Sequence, residues 1–226
     1  MSAAGPLPLA VIISGRGSNM LAIAQACATG RIAARIAVVI GDRSTATGLG
    51  AAQRLGLRTA LVDKDAFHVR EQFEAALADT IDHSGARLVV LAGFMRVLSA
   101  QFTARYADRL LNIHPSLLPA YRGLHTHRRV LAAGDRTHGA TVHWVTAELD
   151  GGPLISQARV PVLPGDDEAT LSARVQLREH RLYPEVIGWI ASERLVVRDG
   201  QSWMDGRPLT GPVVLEERDH ETSERG

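Results

Sequence analysis

The chain has 226 residues, 46% hydrophobic and 22% charged, and its 25 basic and 24 acidic side chains leave a formal net charge of +1. That balance gives no electrostatic footing for nucleic acid or an anionic membrane as main partner, so any anion must be held by local geometry. The length suits one globular domain that buries most of its unfolded surface without a disulfide or metal staple.

Residues 9–13 are a short, fully apolar run ending at Ser14-Gly15, the pattern of a strand buried on both faces of a parallel sheet. A helix is expected over 18–28, with Gly30 as its stop. Residues 36–40 read as the second strand, 49–55 as a helix and 58–62 as the third strand. The spacing of Phe73, Leu77 and Ile81 predicts a helix over 67–83; residues 87–92 and 110–114 are the fourth and fifth strands. This alternation predicts an α/β fold with a doubly wound, mostly parallel sheet.

Beyond it, 139–145 and 153–160 read as an antiparallel extension joined by the turn Asp150-Gly151-Gly152-Pro153. A long helix over 168–190 follows, then two short strands, 195–197 and 201–203, as a terminal hairpin. Residues 216–226 are charged and aperiodic and are expected to be disordered. With no repeat or low-complexity linker, residues 1–226 read as a single domain.

The one cysteine, Cys27, excludes an internal disulfide and lies in an apolar helical pattern, which points to packing rather than nucleophilic chemistry. The first nine residues lack the positive region and apolar core of a signal peptide, and no apolar run approaches the roughly 20 residues that span a bilayer. A cytoplasmic monomer or homodimer with no membrane or nucleic-acid partner is expected.

The first strand ends in Ser14-Gly15-Arg16-Gly17-Ser18-Asn19 and feeds a helix. Glycines let the backbone approach an anion, and the helix N-terminus offers free N–H groups and a positive dipole end. The loop lacks the third glycine of the dinucleotide fingerprint and the Walker lysine, so a single phosphate fits better than a dinucleotide or nucleoside triphosphate. Ser18 or Asn19 can also cap the helix, and a tight turn with a cap is the plain alternative.

On the fifth strand, Asn112 and His114 stand two residues apart and so share one face at its carboxyl end. An amide donor beside an imidazole can stabilise an oxyanion and move a proton. Loop contacts made by two strand-end polar residues are the alternative. Asp150 is the third candidate, as a carboxylate that orients and supports the imidazolium, although Asp-Gly-Gly-Pro is also ordinary turn chemistry.

Six of the nine histidines fall between His114 and His180, which raises a metal site as a competing idea. No cysteine pair, His-Glu-x-x-His helix or ligand quartet accompanies them, so no metal is expected; His125, His127, His138 and His143 are expected to line the cleft or bond backbone.

Five segments resemble glycinamide ribonucleotide transformylases, a family of folate-dependent formyltransferases, in order and spacing. They are the glycine loop, residues 91–96 (Leu-Ala-Gly-Phe-Met-Arg), 111–119 (Leu-Asn-Ile-His-Pro-Ser-Leu-Leu-Pro), 123–127 (Gly-Leu-His-Thr-His) and 148–153 (Glu-Leu-Asp-Gly-Gly-Pro). With residues 175–180 they cover nearly all of 9–203. The resemblance implies a Rossmann-like formyltransferase fold and a two-substrate cleft, with formyl transferred from 10-formyltetrahydrofolate, the co-substrate, to the amine of glycinamide ribonucleotide in purine synthesis.

By the same resemblance, Gly17, Ser18 and Asn19 hold the phosphate, while Gln176 and Glu179 reach the phosphate and the ribose or glycinamide part. Met95, Arg96, Val97 and Leu98 contact folate, Thr146 to Asp150 close over its pterin, and Arg70 meets the glutamyl tail. From the residues alone, Arg70 is a helix-surface charge. Asn112, His114 and Asp150 are implied as the catalytic group. Arg16 and Arg122 depart from the family pattern and add positive charge near the phosphate end or mouth. The rival expectations are a formyltetrahydrofolate deformylase, with water as acceptor, and a non-catalytic nucleotide-binding module.

Overall fold

In the computed structural model, which describes residues 5–215, strand β1 (Leu7–Ile13) alternates its side chains between two cores. Leu9, Val11 and Ile13 enter one cluster and Ala10 and Ile12 the other, as the two-residue period of a strand requires. The elements continue as α1 (Ser18–Ala28), β2 (Ala34–Gly41), α2 (Gly48–Arg54), β3 (Thr59–Leu61), α3 (Arg70–His83), β4 (Leu88–Leu91), α4 (Ala100–Arg105) and β5 (Leu110–His114). Then come α5 (Thr126–Ala133), β6 (Thr137–Trp144), β7 (Leu154–Pro161), α6 (Glu168–Ala191), β8 (Leu195–Arg198), β9 (Gln201–Met204), β10 (Arg207–Pro208) and β11 (Val213–Leu215).

Eight strands form one sheet in the order β11-β7-β6-β5-β4-β1-β2-β3. Strands β1 to β5 are mutually parallel, β6 runs antiparallel to both β5 and β7, and β11 pairs parallel with β7. Met20 and Ile23 of α1, Ala52 of α2, Val130 of α5 and Leu182 and Val186 of α6 cover one face. Phe73, Leu77 and Ile81 of α3, with Phe102 of α4, cover the other. The fold is thus the expected doubly wound, mostly parallel α/β sheet with an antiparallel extension. Strand order reverses between β1 and β4, which opens a crevice outside their carboxyl ends.

Several local expectations change. The helix expected from residue 67 begins at Arg70, because Lys64–Ala66 form a 3-10 turn capped by the Asp63 carboxylate and Phe67 is extended. Gly17, at φ 73°, is the N-cap of α1, and no side chain caps it, so neither Ser18 nor Asn19 plays that part. Helices α4 and α5 and strands β10 and β11 lie where the sequence reading placed none. The expected hairpin exists as β8 and β9, extended by β10 into a three-stranded antiparallel sheet. Cys27 is half-buried against the first core, and burial pushes its thiol up to about 11, as packing rather than nucleophilic use requires. The tail at 216–226 lies outside the described residues. Among those residues, no helix is long and apolar enough to cross a membrane.

Candidate active site

Strand β5 sends Leu111 and Ile113 into the first core and Leu110 into the second, so Asn112 and His114 point to the second side, where the sheet runs out of covering helix. Pro115 ends the strand, and the chain folds back until the Tyr121 carbonyl accepts the Nε2–H of His114 at 3.0 Å. The other ring nitrogen, Nδ1, stands 3.4 Å from Asp150 Oδ2. Asp150 heads the turn between β6 and β7 at φ 48°, and its Oδ2 accepts the Gly123 N–H at 2.9 Å. The turn closes tightly, since a Cβ on Gly152 would lie 1.9 Å from the Trp144 carbonyl oxygen. Glycine is therefore a geometric requirement for delivering Asp150 to His114.

The antiparallel register places His143 directly beside Asn112. His143 Nδ1 lies 2.8 Å from the Trp144 carbonyl, which only accepts, so Nδ1 carries the proton. Burial holds the ring below its usual range and thus neutral, leaving Nε2 to accept from the Asn112 amide at 3.2 Å. That bond orients the amide and leaves its second N–H for a ligand. His143 was expected only to line the cleft or bond backbone; its tie to Asn112 is legible only once the β5–β6 register is known.

Asn112, His114 and Asp150 line a cleft of about 530 Å³. One wall is Met95, Arg96, Val97 and Leu98 after β4, and the other is Thr146 to Asp150. Met95, Val97, Leu124 and Leu149 are exposed aliphatic side chains around its mouth. A largely apolar slot with convergent polar groups suits an extended ligand with a flat apolar body. His125 and His127 also line it. His127 Nδ1 meets His138 Nε2 at 3.0 Å, and burial lowers both rings, His138 to about 4.

Arg70 lies outside this cleft. It lines an adjoining cavity of about 410 Å³ that shares Met95, Arg96 and Val97, and it bonds Glu74 at 3.0 Å and the Val97 carbonyl. Arg96 has a structural tie absent from the sequence reading: its Nε bonds the fully buried carboxylate of Asp42 at 2.6 Å. Arg122 pairs with Glu148 across the mouth, while Arg16 is exposed on the glycine loop.

The remaining candidates form a second cluster, where α1 packs on α6. Gln176 Nε2 donates to Ser18 Oγ at 3.0 Å, and Asn19 Nδ2 donates to Glu179 Oε2 at 2.8 Å. Burial pushes the Glu179 carboxyl above its usual range, partly offset by Asn19. Asn19 Oδ1 is buried with no partner among the described residues, as an acceptor awaiting a donor would be. The first N–H groups of α1 have no acceptor within the helix and meet the dipole's positive end, a ready seat for an anion. One turn beyond Glu179, the buried Tyr183 hydroxyl lies 2.9 Å from the Leu91 carbonyl and 3.0 Å from that of Leu111. Helix α6 therefore ties this cluster to the strand ends that carry the cleft.

The formyl transferase family model matches residues 7–187 of the chain. The chain is 50% identical over 201 residues to the phosphoribosylglycinamide formyltransferase of Escherichia coli (strain K12), covering 89% of this chain and 95% of that protein. It is 41% identical to the Haemophilus influenzae protein of the same name, over the same shares of both chains. Among solved structures, the phosphoribosylglycinamide formyltransferase of Coxiella burnetii superposes with a TM-score of 0.87 at 47% identity, covering 92% of this chain and 99% of that one. Glycinamide ribonucleotide transformylase 1 of Symbiobacterium toebii gives 0.85 at 45% identity, covering 88% and 94%.

Proposed function

The chain belongs to the formyl transferase family, and from that premise we propose that its cleft moves a formyl group from 10-formyltetrahydrofolate to the amine of glycinamide ribonucleotide. The products are formylglycinamide ribonucleotide and tetrahydrofolate, which makes the protein a one-carbon transferase of purine synthesis. The observation that carries the mechanism is the convergence of Asn112, His114 and Asp150 on one face of the 530 Å³ cleft.

The folate lies along Met95, Arg96, Val97 and Leu98, with Thr146 to Asp150 over its pterin and the glutamyl tail toward Arg70. The ribonucleotide enters from the second cluster. Its phosphate sits on the N-terminus of α1 at Gly17, Ser18 and Asn19, with Gln176 and Glu179 turned to the phosphate and sugar. The unpartnered Asn19 Oδ1 supports a donor-bearing ligand here.

With both reactants in place, the amine nitrogen bonds to the formyl carbon, and the carbonyl π electrons move onto oxygen. Asn112, oriented by His143, and the Nδ1–H of His114 donate to that oxygen, the Nε2–H being held by the Tyr121 carbonyl. Asp150 faces His114 Nδ1 and supports positive charge on the ring. The oxyanion then reforms the carbonyl, the bond to the folate nitrogen breaks, and that nitrogen gains a proton as the amine loses one. No covalent enzyme intermediate is required, since holding two reactants in line removes much of the barrier.

The test uses folate carrying a 13C-labelled formyl group, with the product followed by NMR. The carbon should appear as the formamide of the ribonucleotide, and His114→Ala should lower turnover about 10²- to 10⁴-fold while folate binding remains measurable. Label released as free formate, or near-normal turnover in His114→Ala, contradicts the proposal.

A further inference from the structure

His114 is oriented by a backbone carbonyl, and that carbonyl belongs to a residue in an unusual conformation. Tyr121 adopts φ 57°, the left-handed region that non-glycine residues enter at a cost and hold only when their surroundings over-determine it. In this conformation its carbonyl meets His114 Nε2 at 3.0 Å.

The surroundings are specific. The first half of the loop is bracketed to the sheet: Thr141 Oγ1 donates to the Ser116 carbonyl at 2.6 Å, and Gln157 Nε2 donates to the Leu118 carbonyl at 2.8 Å. The second half is held by Ser116 Oγ, which donates to the Ala120 carbonyl at 2.7 Å, by the Gly123 N–H on Asp150 at 2.9 Å, and at Tyr121 itself by the side chain. Its hydroxyl donates to Asp135 at 2.5 Å, just beyond α5, and the carboxylate raises the phenol's proton affinity, so the hydroxyl stays a donor. The Arg129 guanidinium lies 5.3 Å from the ring centroid and also donates to the Arg122 carbonyl at 2.6 Å. The His138 ring meets the tyrosine ring edge-on with centroids 6.5 Å apart. Three contacts thus fix one ring, and the ring fixes the backbone whose oxygen holds the imidazole.

We infer that Tyr121 is a positioning residue for His114, its side chain clamped by Asp135 and Arg129 so that its carbonyl holds the imidazole with Nδ1 toward Asp150. The inference rests on the catalytic role proposed for His114. Because Tyr121, Asp135 and Arg129 do not themselves line the cleft and the clamp acts on the ring's orientation, its loss should appear in kcat and leave both KM values in place.

The experiment compares Tyr121→Ala, Tyr121→Phe, Asp135→Ala and Asp135→Asn with the unaltered protein and His114→Ala. It reads kcat, both KM values, the melting temperature and the NMR resonance of the His114 Nε2–H, assigned by its absence in His114→Ala. Tyr121→Ala should lose that resonance and about ten- to a hundredfold in kcat, with KM values within about twofold. Tyr121→Phe and Asp135→Ala should lose several-fold, on the order of one neutral or charged hydrogen bond, while Asp135→Asn, which keeps an acceptor for the phenol, recovers most of the rate.

A folded Tyr121→Ala protein with normal kcat overturns the inference, as does a kcat loss with the His114 resonance unchanged. If Tyr121→Ala does not fold, the Asp135 pair decides: equal kcat in the Ala and Asn variants overturns it. Normal turnover in His114→Ala strikes the underlying catalytic reading instead. Loss in His114→Ala with none in the Tyr121 variants strikes the positioning inference alone.

Discussion

Gly151 and Gly152 both sit in the turn that presents Asp150, yet an added methyl group should affect them very differently. Neither has a positive φ, so backbone strain does not separate them. A Cβ at Gly152 lies 1.9 Å from the Trp144 carbonyl oxygen, inside β6, where real contacts stay beyond 3.0 Å. The two chains must therefore part by about 1.1 Å in a segment where the Trp144 N–H also bonds the Pro153 carbonyl at 3.0 Å. The atoms nearest a Cβ at Gly151 belong to the side chain of Glu148, the first at 2.3 Å, and that side chain is exposed and free to swing out at the expense of its pair with Arg122.

Overpacking against fixed backbone costs about 1–3 kcal/mol. For a chain of this size that lowers Tm by roughly 3–10 °C in Gly152→Ala. A displacement of about 1 Å in Asp150 costs about 10²-fold in kcat. Gly151→Ala, which forfeits only an exposed ion pair worth at most about 1 kcal/mol, should stay within a few-fold of the parent. Steady-state kinetics with both substrates and a calorimetric melt of each variant provide the comparison. Equal kcat in the two variants, or the larger loss in Gly151→Ala, refutes the claim that the Trp144 contact sets the position of Asp150.

Three further outcomes follow from the buried charges and rings. The folded-state pKa of Glu179 lies above its unfolded value, so the folded protein binds that proton more tightly and loses stability as pH rises from the ordinary 4.5 through the folded pKa; Glu179→Gln should gain Tm relative to the parent over that rise and raise KM for the ribonucleotide, and a parallel pH dependence in the two proteins contradicts this. His138 has the opposite sign: its folded value of about 4 against the usual 6.5 means stability present above pH 6.5 and lost as pH falls toward 4, so His138→Asn should flatten that acid limb in thermal melts. Arg96→Ala leaves the fully buried Asp42 carboxylate, among the described residues, with Arg43 at 3.4 Å as its one cationic partner, and urea denaturation should register a loss of about 3 kcal/mol, partly recovered by adding Asp42→Asn.

The sheet was legible because its strands are buried on both faces and therefore read as unbroken apolar runs, as residues 9–13 do. Asn112 and His114 were legible for the opposite reason, as polar residues interrupting such a run with a two-residue period. Helix α4 has only six residues, too few for a helical period to emerge, and α5 buries only Thr126 and Val130. Strand β11 is three residues long and finds its partner, β7, far back in the chain. The ties of His143 to Asn112 and of Asp42 to Arg96 depend on strand register and on a crossing 54 residues apart. The Tyr121 carbonyl is a backbone atom, and no side-chain pattern announces it. Local chemistry could be read along the chain, while the contacts that aim it are set by tertiary packing.

The most direct test of the central claim is the rate of formyl loss from 10-formyltetrahydrofolate, followed by absorbance, with and without glycinamide ribonucleotide. Transfer to the ribonucleotide amine requires loss that depends on the ribonucleotide and matches formylated product one for one. Equal loss in its absence means that water is the acceptor, and no loss in either case, beside an active control enzyme, means that the cleft binds without catalysing. Either of those results contradicts the account.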